Sequence, residues 1–511
     1  MKTVQVIFVP APAIGHLVSM VEMARLLITR YQHLSATILV ANFAYNTGVA
    51  SYVESLTKNP SPRFKIIQLP DTDPTTYMSS SRHYILTALL DSQKPNIRNI
   101  LHDLTRTESE STQHETRKSD QSNQFEGIEK TSTLAESTRL AAFVVDLLSV
   151  TIMDIGDELS VPTYVYCPAG ANFLSLGLHF QSLRDDHNND LTEFNNSDKF
   201  LNVPSFSKPV PAKVLPSMLL DKEGGSDLML GIFKRFRDAK GIIINSFVEL
   251  ESLAFHSLAA DPKVPKVYSV GPILNVAGEG HDADEVKDIL GWLDCQPPSS
   301  VVFLCFGSFG GFHDNQLKET AVALESSGHR FLWSIRPPLA RLKTSYPNLD
   351  EILPSGFLER TASIGKVIGW APQVTVLSHN AVGGFVSHCG WNSTMESTWH
   401  GVPIATWPIY AEQPLNAFEL VHELGLAIEV EMEYSNEFSM VNNGIVKAKE
   451  LEVVIRKLML DENASQIRKK VNKMKELCRV AVAENGSSYA SLGQLVEDII
   501  QGKGTCITGC M

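Results

Sequence analysis

The stretch from Trp370 to Gln413 reads WAPQVTVLSHNAVGGFVSHCGWNSTMESTWHGVPIATWPIYAEQ. Its middle reads as a strand running into the start of a helix. Gly383 and Gly384 precede the apolar pair Phe385 and Val386, small and hydroxyl residues follow, and Gly401-Val402-Pro403 marks the stop. A helix that begins where a strand ends presents unpaired N–H groups and the positive end of its dipole, which together seat a phosphate. His388, Asn392, Ser393 and Thr394 add side-chain donors at that start. Glu396 lies one turn on, where a carboxylate accepts bonds from ribose hydroxyls. Glu412 and Gln413 close the stretch with a polar pair suited to sugar hydroxyls.

The rest of the chain repeats the strand-to-helix grammar. Val4 to Val9 is a β-branched, apolar run, Pro10 to His16 a turn, and Met20, Met23, Ala24 and Leu27 recur at helical spacing. Further strands are predicted at Ala36–Val40, Ala141–Val145 with Asp146 at its end, Val161–Tyr166 and Gly241–Ile244. Strands alternating with helices imply right-handed βαβ units and a parallel sheet. A second set starts at Ser300–Phe306, followed at once by Gly307-Ser308-Phe309-Gly310-Gly311, and continues at Arg330–Arg336 and Lys366–Trp370. A glycine-rich loop after a parallel strand is where such sheets bind ligands, although a plain tight turn reads the same way. Asp261 to Pro272 holds three prolines and separates the two sets. The expected division is a first domain over 1–262, a linker over 263–274, a second domain over 275–485, and a final helix and tail over 486–511. The polar run at about 105–139 has too few apolar residues to offset the cost of ordering and is expected to be a mobile insertion.

Composition narrows the partners. The chain has 511 residues, 43% of them apolar and 20% charged, as in a globular protein of two domains. A formal net charge of −13 disfavours nucleic acid and anionic membrane surfaces. The seven cysteines are scattered with no C-x-x-C pair, which suits reduced thiols in the cytoplasm. Cys389 beside His388 is read as a small buried thiol, and no metal site is expected. The N-terminus is not read as a signal peptide, and no apolar run approaches the ~18 residues of a membrane span. A monomer is expected.

The 44 residues from Trp370 to Gln413 resemble the signature box of plant family 1 glycosyltransferases, which use UDP-sugars. The resemblance implies the α/β GT-B fold, two Rossmann-like domains facing a cleft, with the last helix crossing back onto the first domain. It implies UDP-glucose as a co-substrate, with no further cofactor and no metal. By matching position, Trp370 would stack on uracil and the Ala371 backbone would bond its edge. Gln373 and Glu396 would reach the ribose, and His388, Asn392, Ser393 and Ser308 would hold the phosphates. Trp391 stands where the family has Trp in UDP-glucose users, and Gln413 where Gln accompanies glucose. Two departures bear on donor choice. Glu412 occupies a place where Asp is common, and Pro168-Ala169-Gly170-Ala171 lacks the Ser or Thr that many relatives carry there.

Transfer to a hydroxyl needs a base. His16 closes the loop after the first strand, and an imidazole titrating near ~6.5 takes a proton at neutral pH. The resemblance makes it the catalytic base, with Asp146 holding its tautomer. Asp146 also fits a helix N-cap. The acceptor is expected among Ile14, Gly15, Leu147, Leu148, Phe173 and Tyr410, an apolar and aromatic set suited to a lipophilic phenolic, flavonoid or terpenoid. The expected reaction is inverting transfer of glucose to give a β-glucoside. Ester formation on a carboxylate is the alternative; an NAD-dependent oxidoreductase and a non-catalytic UDP-sugar binder are the rivals. The first strand lacks the G-x-G-x-x-G that would favour the oxidoreductase, and His16 with Asp146 argues against a mere binder.

Overall fold

Val4–Val9 forms strand β1 with every residue buried, and its one polar side chain is satisfied there, Gln5 Nε2 donating to Thr37 Oγ1 at 2.9 Å. The structure, a computed structural model, describes residues 4–43, 47–58, 61–78, 80–118, 139–276, 282–308, 310–336, 348–433, 444–460 and 462–502. After β1 come helix α1 (Ile14–Arg30), β2 (Leu34–Val40), β3 (Phe64–Gln68), a long helix α2 (Ile85–Lys118), β4 (Arg139–Asp146), β5 (Thr163–Cys167), helix α3 (Ala171–His187) and β6 (Gly241–Ile244). The sheet has seven strands in the order β3-β2-β1-β4-β5-β6 and then the short strand Val267–Ser269, and the pairings of β1 with β2 and β4, of β2 with β3 and of β4 with β5 are parallel.

The second sheet repeats the plan. Its strands are β7 (Val301–Cys305), β8 (Arg330–Ser334), β9 (Gly365–Ile368), β10 (Val382–Ser387), β11 (Ile404–Thr406) and β12 (Ala427–Glu429). They run in the order β9-β8-β7-β10-β11-β12, all pairs parallel. Three short helices matter here: α4 (Gln373–Ser378), α5 (Trp391–His400) and α6 (Gln413–Phe418). Gly401 stops α5 in the left-handed conformation, φ 75°, and its N–H bonds the carbonyls of Ser397 and Thr398. Beneath the sheet the rings of Phe306, Phe312 and Trp407 interlock, with Phe306 and Phe312 4.6 Å apart. In both sheets the first strand lies between the second and the fourth. The crevice for a ligand therefore opens at the carboxyl ends of β1 and β4 in one sheet, and of β7 and β10 in the other.

The chain divides into two compact units: Met1–Cys167 with Arg235–Ile243 and Leu492–Met511, and Pro168–Lys234 with Ile244–Ser491. This division is discontinuous, unlike the contiguous one expected, because residues 168–234 and 244–262 pack with the second unit. The last helix, α7 (Ser487–Gln501), contributes its larger part to the first unit, where Arg139 donates to the carbonyls of Ile500 and Gly502 at 2.7 and 3.1 Å. The insertion expected at about 105–139 is corrected in part. Residues 105–118 continue α2 as helix, since Glu, Gln, Lys and Arg extend a helix already nucleated by the apolar stretch before them. Residues 119–138 lie outside the described residues, and Arg139 already belongs to β4. Among the described residues no helix is long and apolar enough to cross a membrane.

Candidate active site

In the first unit α1 starts at the end of β1 with no side-chain cap at Ala13, and the His16 amide bonds the Ala13 carbonyl at 3.1 Å. His16 thus stands in the first turn of α1, beside the end of β4. Its Nδ1 lies 3.0 and 2.9 Å from Oδ1 and Oδ2 of Asp146, the last residue of β4. The carboxylate is fully buried and the imidazole is 27% exposed. A proton on Nδ1 satisfies the carboxylate, and the lone pair then resides on Nε2. Asp146 also accepts the Leu148 amide at 2.9 Å as the cap of the turn Leu147–Ile152, so the carboxylate serves the His16 ring and a backbone N–H at once. Gly15 precedes the imidazole, and Leu148 is half-buried just past the carboxylate. One turn further along α1, Ser19 and the Tyr166 hydroxyl, 2.6 Å apart, tie the helix to β5. Burial pushes the Tyr166 phenol far up, so this strut stays neutral.

In the second unit the box residues cluster at the ends of β7 and β10. Gln373 Nε2 donates to Ser393 Oγ at 2.7 Å and to Glu396 Oε2 at 2.6 Å, joining α4 to the first turns of α5. Burial raises the Glu396 carboxyl to about 7, opposed by the Gln373 bond. Trp370 is 38% exposed, and Ala371 next to it is buried. His388 is buried with its ring against two glycines: a Cβ at Gly307 would lie 2.5 Å from Nε2, and one at Gly390 2.6 Å. Burial lowers its pKa to about 4, which keeps the ring neutral where it stands. Ser308 follows Gly307, whose φ of 75° forms the turn, and Asn392 is the half-buried second residue of α5. Cys389 between His388 and Gly390 is fully buried, and burial pushes its thiol well up.

The polar pair at the end of the box is held from behind. Gln413 is buried, and its Oε1 accepts the amides of Ile409 and Tyr410 at 2.9 and 3.0 Å. Its side chain also bonds the Tyr410 hydroxyl, which burial holds in the phenol form. Glu412 is half-buried ahead of α6. Trp391 is 3% exposed, and its Nε1 donates to the Asn245 carbonyl at 2.7 Å. Phe173 is buried edge-on against Phe233, with ring centres 5.5 Å apart. One residue that the sequence reading passed over is Arg336, whose guanidinium lies 4.0 Å over the Trp370 ring. Its position two residues past β8, at the same sheet edge as the box, was the available signal.

Comparison with known proteins settles the lineage. Residues 283–474 match the family described as UDP-glucoronosyl and UDP-glucosyl transferase. UDP-glycosyltransferase 101 of Panax ginseng is 55% identical over 501 residues, covering 97% of this chain and 99% of that protein. The chain belongs to the UDP-glycosyltransferase family. Two solved relatives carry the fold. A UGT transferase of Siraitia grosvenorii in complex with UDP is 38% identical with a TM-score of 0.80, covering 98% of this chain and 100% of that one. UGT71G1 of Medicago truncatula complexed with UDP-glucose is 37% identical with a TM-score of 0.81, covering 97% and 98%. This UDP-glycosyltransferase therefore has the GT-B fold of two Rossmann-like domains, and the strand orders above are those of its two domains.

Proposed function

We propose that the enzyme transfers glucose from UDP-glucose to a hydroxyl of a lipophilic small molecule, with inversion, to give a β-glucoside. The observation that carries this reading is the His16–Asp146 pair, a buried carboxylate holding Nδ1 at 2.9 Å at the ligand-binding edge of its sheet. His16 Nε2 takes the acceptor proton as the oxygen attacks the anomeric carbon from the face opposite the leaving UDP. Asp146 fixes the tautomer and stabilises the imidazolium that forms. The departing diphosphate is received by the N-terminus of α5 with Ser308, Asn392 and Ser393, and the helix dipole adds favourable charge where negative charge develops. Trp370, Ala371, Gln373 and Glu396 take the uridine; Trp391, Glu412 and Gln413 lie on the sugar side. The Medicago relative was solved with UDP-glucose and the Siraitia relative with UDP, which supports this donor. We assign no metal and no further cofactor to the reaction. Gly15, Leu148, Phe173 and Tyr410 belong to the acceptor side in this reading.

The test is UDP release from UDP-glucose against a panel of phenols, flavonoids and terpenoid alcohols, with EDTA present and His16→Ala alongside. Acceptor-dependent release that survives EDTA and falls ~10²–10⁴-fold in the variant is expected. Loss of activity in EDTA would overturn metal independence. An unchanged His16→Ala rate would remove the base, and a product labile to mild alkali would move the acceptor from hydroxyl to carboxylate.

A further inference from the structure

Behind Trp391 lies a run of buried polar groups to which neither the box nor the base pair assigns a role. Glu251 is 2% exposed, yet it accepts three hydrogen bonds. Its Oε2 takes the Ala171 amide at 2.9 Å and the Ser246 hydroxyl, and its Oε1 takes the Asn172 amide at 2.7 Å. Ala171 and Asn172 are the first residues of α3, whose own N-cap, Gly170, has no side chain to offer, so the carboxylate of Glu251 caps that helix from outside. Asn245, next to Ser246, is the carbonyl that receives the Trp391 indole. Gly170 is pressed between the two ends of this chain: a Cβ there would lie 2.9 Å from Glu251 Oε1 and 2.9 Å from Trp391 Cη2. On the other side the Asn172 side chain faces Glu419, 1% exposed, which directly follows α6, the helix that begins with Gln413. Burial pushes both carboxyls up, and Glu251 facing Glu419 pushes the latter further.

We propose that Glu251 is a positioning residue for the sugar subsite. Through Ser246 and Asn245 it fixes Trp391, and through Asn172 and Glu419 it fixes the Gln413 helix, so that discrimination among UDP-sugars depends on it. This inference rests on the proposed reading of Trp391 and Gln413 as sugar-side residues. The Trp391 indole N–H and Gln413 Oε1 are held by backbone partners, and neither side chain can follow a displaced sugar without breaking those bonds. The groups behind them therefore set the geometry, and misplacement of a reacting group by ~1 Å is worth ~10² in rate.

The experiment compares wild type, Glu251→Gln and Ser246→Ala, each with UDP-glucose, UDP-galactose and UDP-xylose and one acceptor that wild type turns over, beside UDP affinity and thermal unfolding. The expected result is a roughly tenfold lower kcat/KM ratio of UDP-glucose to the other sugars in Glu251→Gln and about threefold in Ser246→Ala, carried by kcat. UDP affinity should stay within about threefold, since UDP lacks the sugar. Equal losses for all sugars, or losses that only track unfolding, overturn the proposal. Ser246→Ala removes one buried bond and leaves the capping bonds in place, so its ratio decides the matter if Glu251→Gln does not fold. A wild type that turns over no UDP-sugar sinks the proposed function itself, an outcome distinct from an active wild type with unmoved ratios.

Discussion

Asp146 accepts the Leu148 amide through Oδ1 and the His16 ring through both oxygens, so removing its charge and removing its carboxylate have different consequences. Asp146→Asn keeps an acceptor for the cap but loses the anion that holds the Nδ1 proton. The rate is expected to fall ~10²–10⁴-fold with little change in unfolding temperature. Asp146→Ala loses the cap as well and is expected to cost about 1 kcal/mol more stability. Steady-state rates beside thermal unfolding separate the two, and an Asn variant at the wild-type rate would end the partner role. Glu396 gives a second prediction. Its carboxyl, raised to about 7 by burial, holds a proton that the unfolded chain has already shed above the ordinary carboxylate range. Its contribution to stability is therefore full below that range and is lost as pH rises through 7. Ribose hydroxyls donating to it favour the ionised form, so UDP affinity should strengthen with pH and level off above 7. Calorimetry at pH 6 and 8 is expected to show up to about tenfold weaker binding at pH 6, beyond the diphosphate's own titration. Glu396→Gln should show only the latter; a variant with the wild-type pH slope would exclude Glu396.

At the scale of elements, the strand-to-helix joints bring the candidate site residues together, and glycine makes their close approach possible. Gly390 ends the loop ahead of α5 and Gly307 turns the chain after β7, and both leave room for the His388 ring. Gly390→Ala must displace that ring or the helix start. It is expected to cost about 1–3 kcal/mol and to weaken UDP binding at least tenfold by calorimetry. Gly231→Ala is the control: it lies inside the helix Gly225–Phe236 with nothing within 4 Å of an added Cβ, and is expected to be neutral or slightly stabilising. A Gly390→Ala protein with wild-type affinity would show that the joint has slack. These joints were legible in the sequence because they are local: an apolar run, a glycine turn and a hydroxyl-rich helix start lie within twenty residues of one another from Val382 to Gly401. His16 was legible as a base by resemblance, and Asp146 as its partner by standing at the end of an apolar strand, where an unpaired carboxylate is costly. Glu251 was not, because it sits in an ordinary helix-start sequence and its meaning comes from Ala171 and Asn172, about eighty residues earlier in the chain. Arg336 reads in sequence as the end of a strand, and its significance comes from the Trp370 ring beneath it. The helix to Lys118 is not legible because a polar run reads as unable to order, whereas its Glu, Gln, Lys and Arg residues extend a helix that the apolar stretch before them has started.

At the scale of the whole molecule, the first unit is closed by the last described stretch of the chain, a long-range arrangement that composition and periodicity do not express. Leu492, Leu495, Val496 and Ile499 are all buried, and they lie in the segment that belongs to the first unit. Arg139 at the start of β4 donates to two carbonyls at the end of α7, so the strand that carries Asp146 begins on this helix. Burying four such side chains is worth about 1.5–3 kcal/mol each, a sum comparable to the ~5–15 kcal/mol that holds a typical domain together. Deleting 492–511 is therefore expected to unfold the first unit and abolish transfer. The box residues all lie within the second unit, and UDP binding should persist there within a few-fold. Arg139→Ala is the graded version: it removes two hydrogen bonds from a charged donor and is expected to cost about 2–4 kcal/mol while leaving UDP affinity unchanged. Thermal unfolding read beside UDP calorimetry checks both. A truncated chain that melts like wild type and still transfers glucose would show that the helix only covers the first unit; loss of UDP binding together with transfer would show that the two units fold as one.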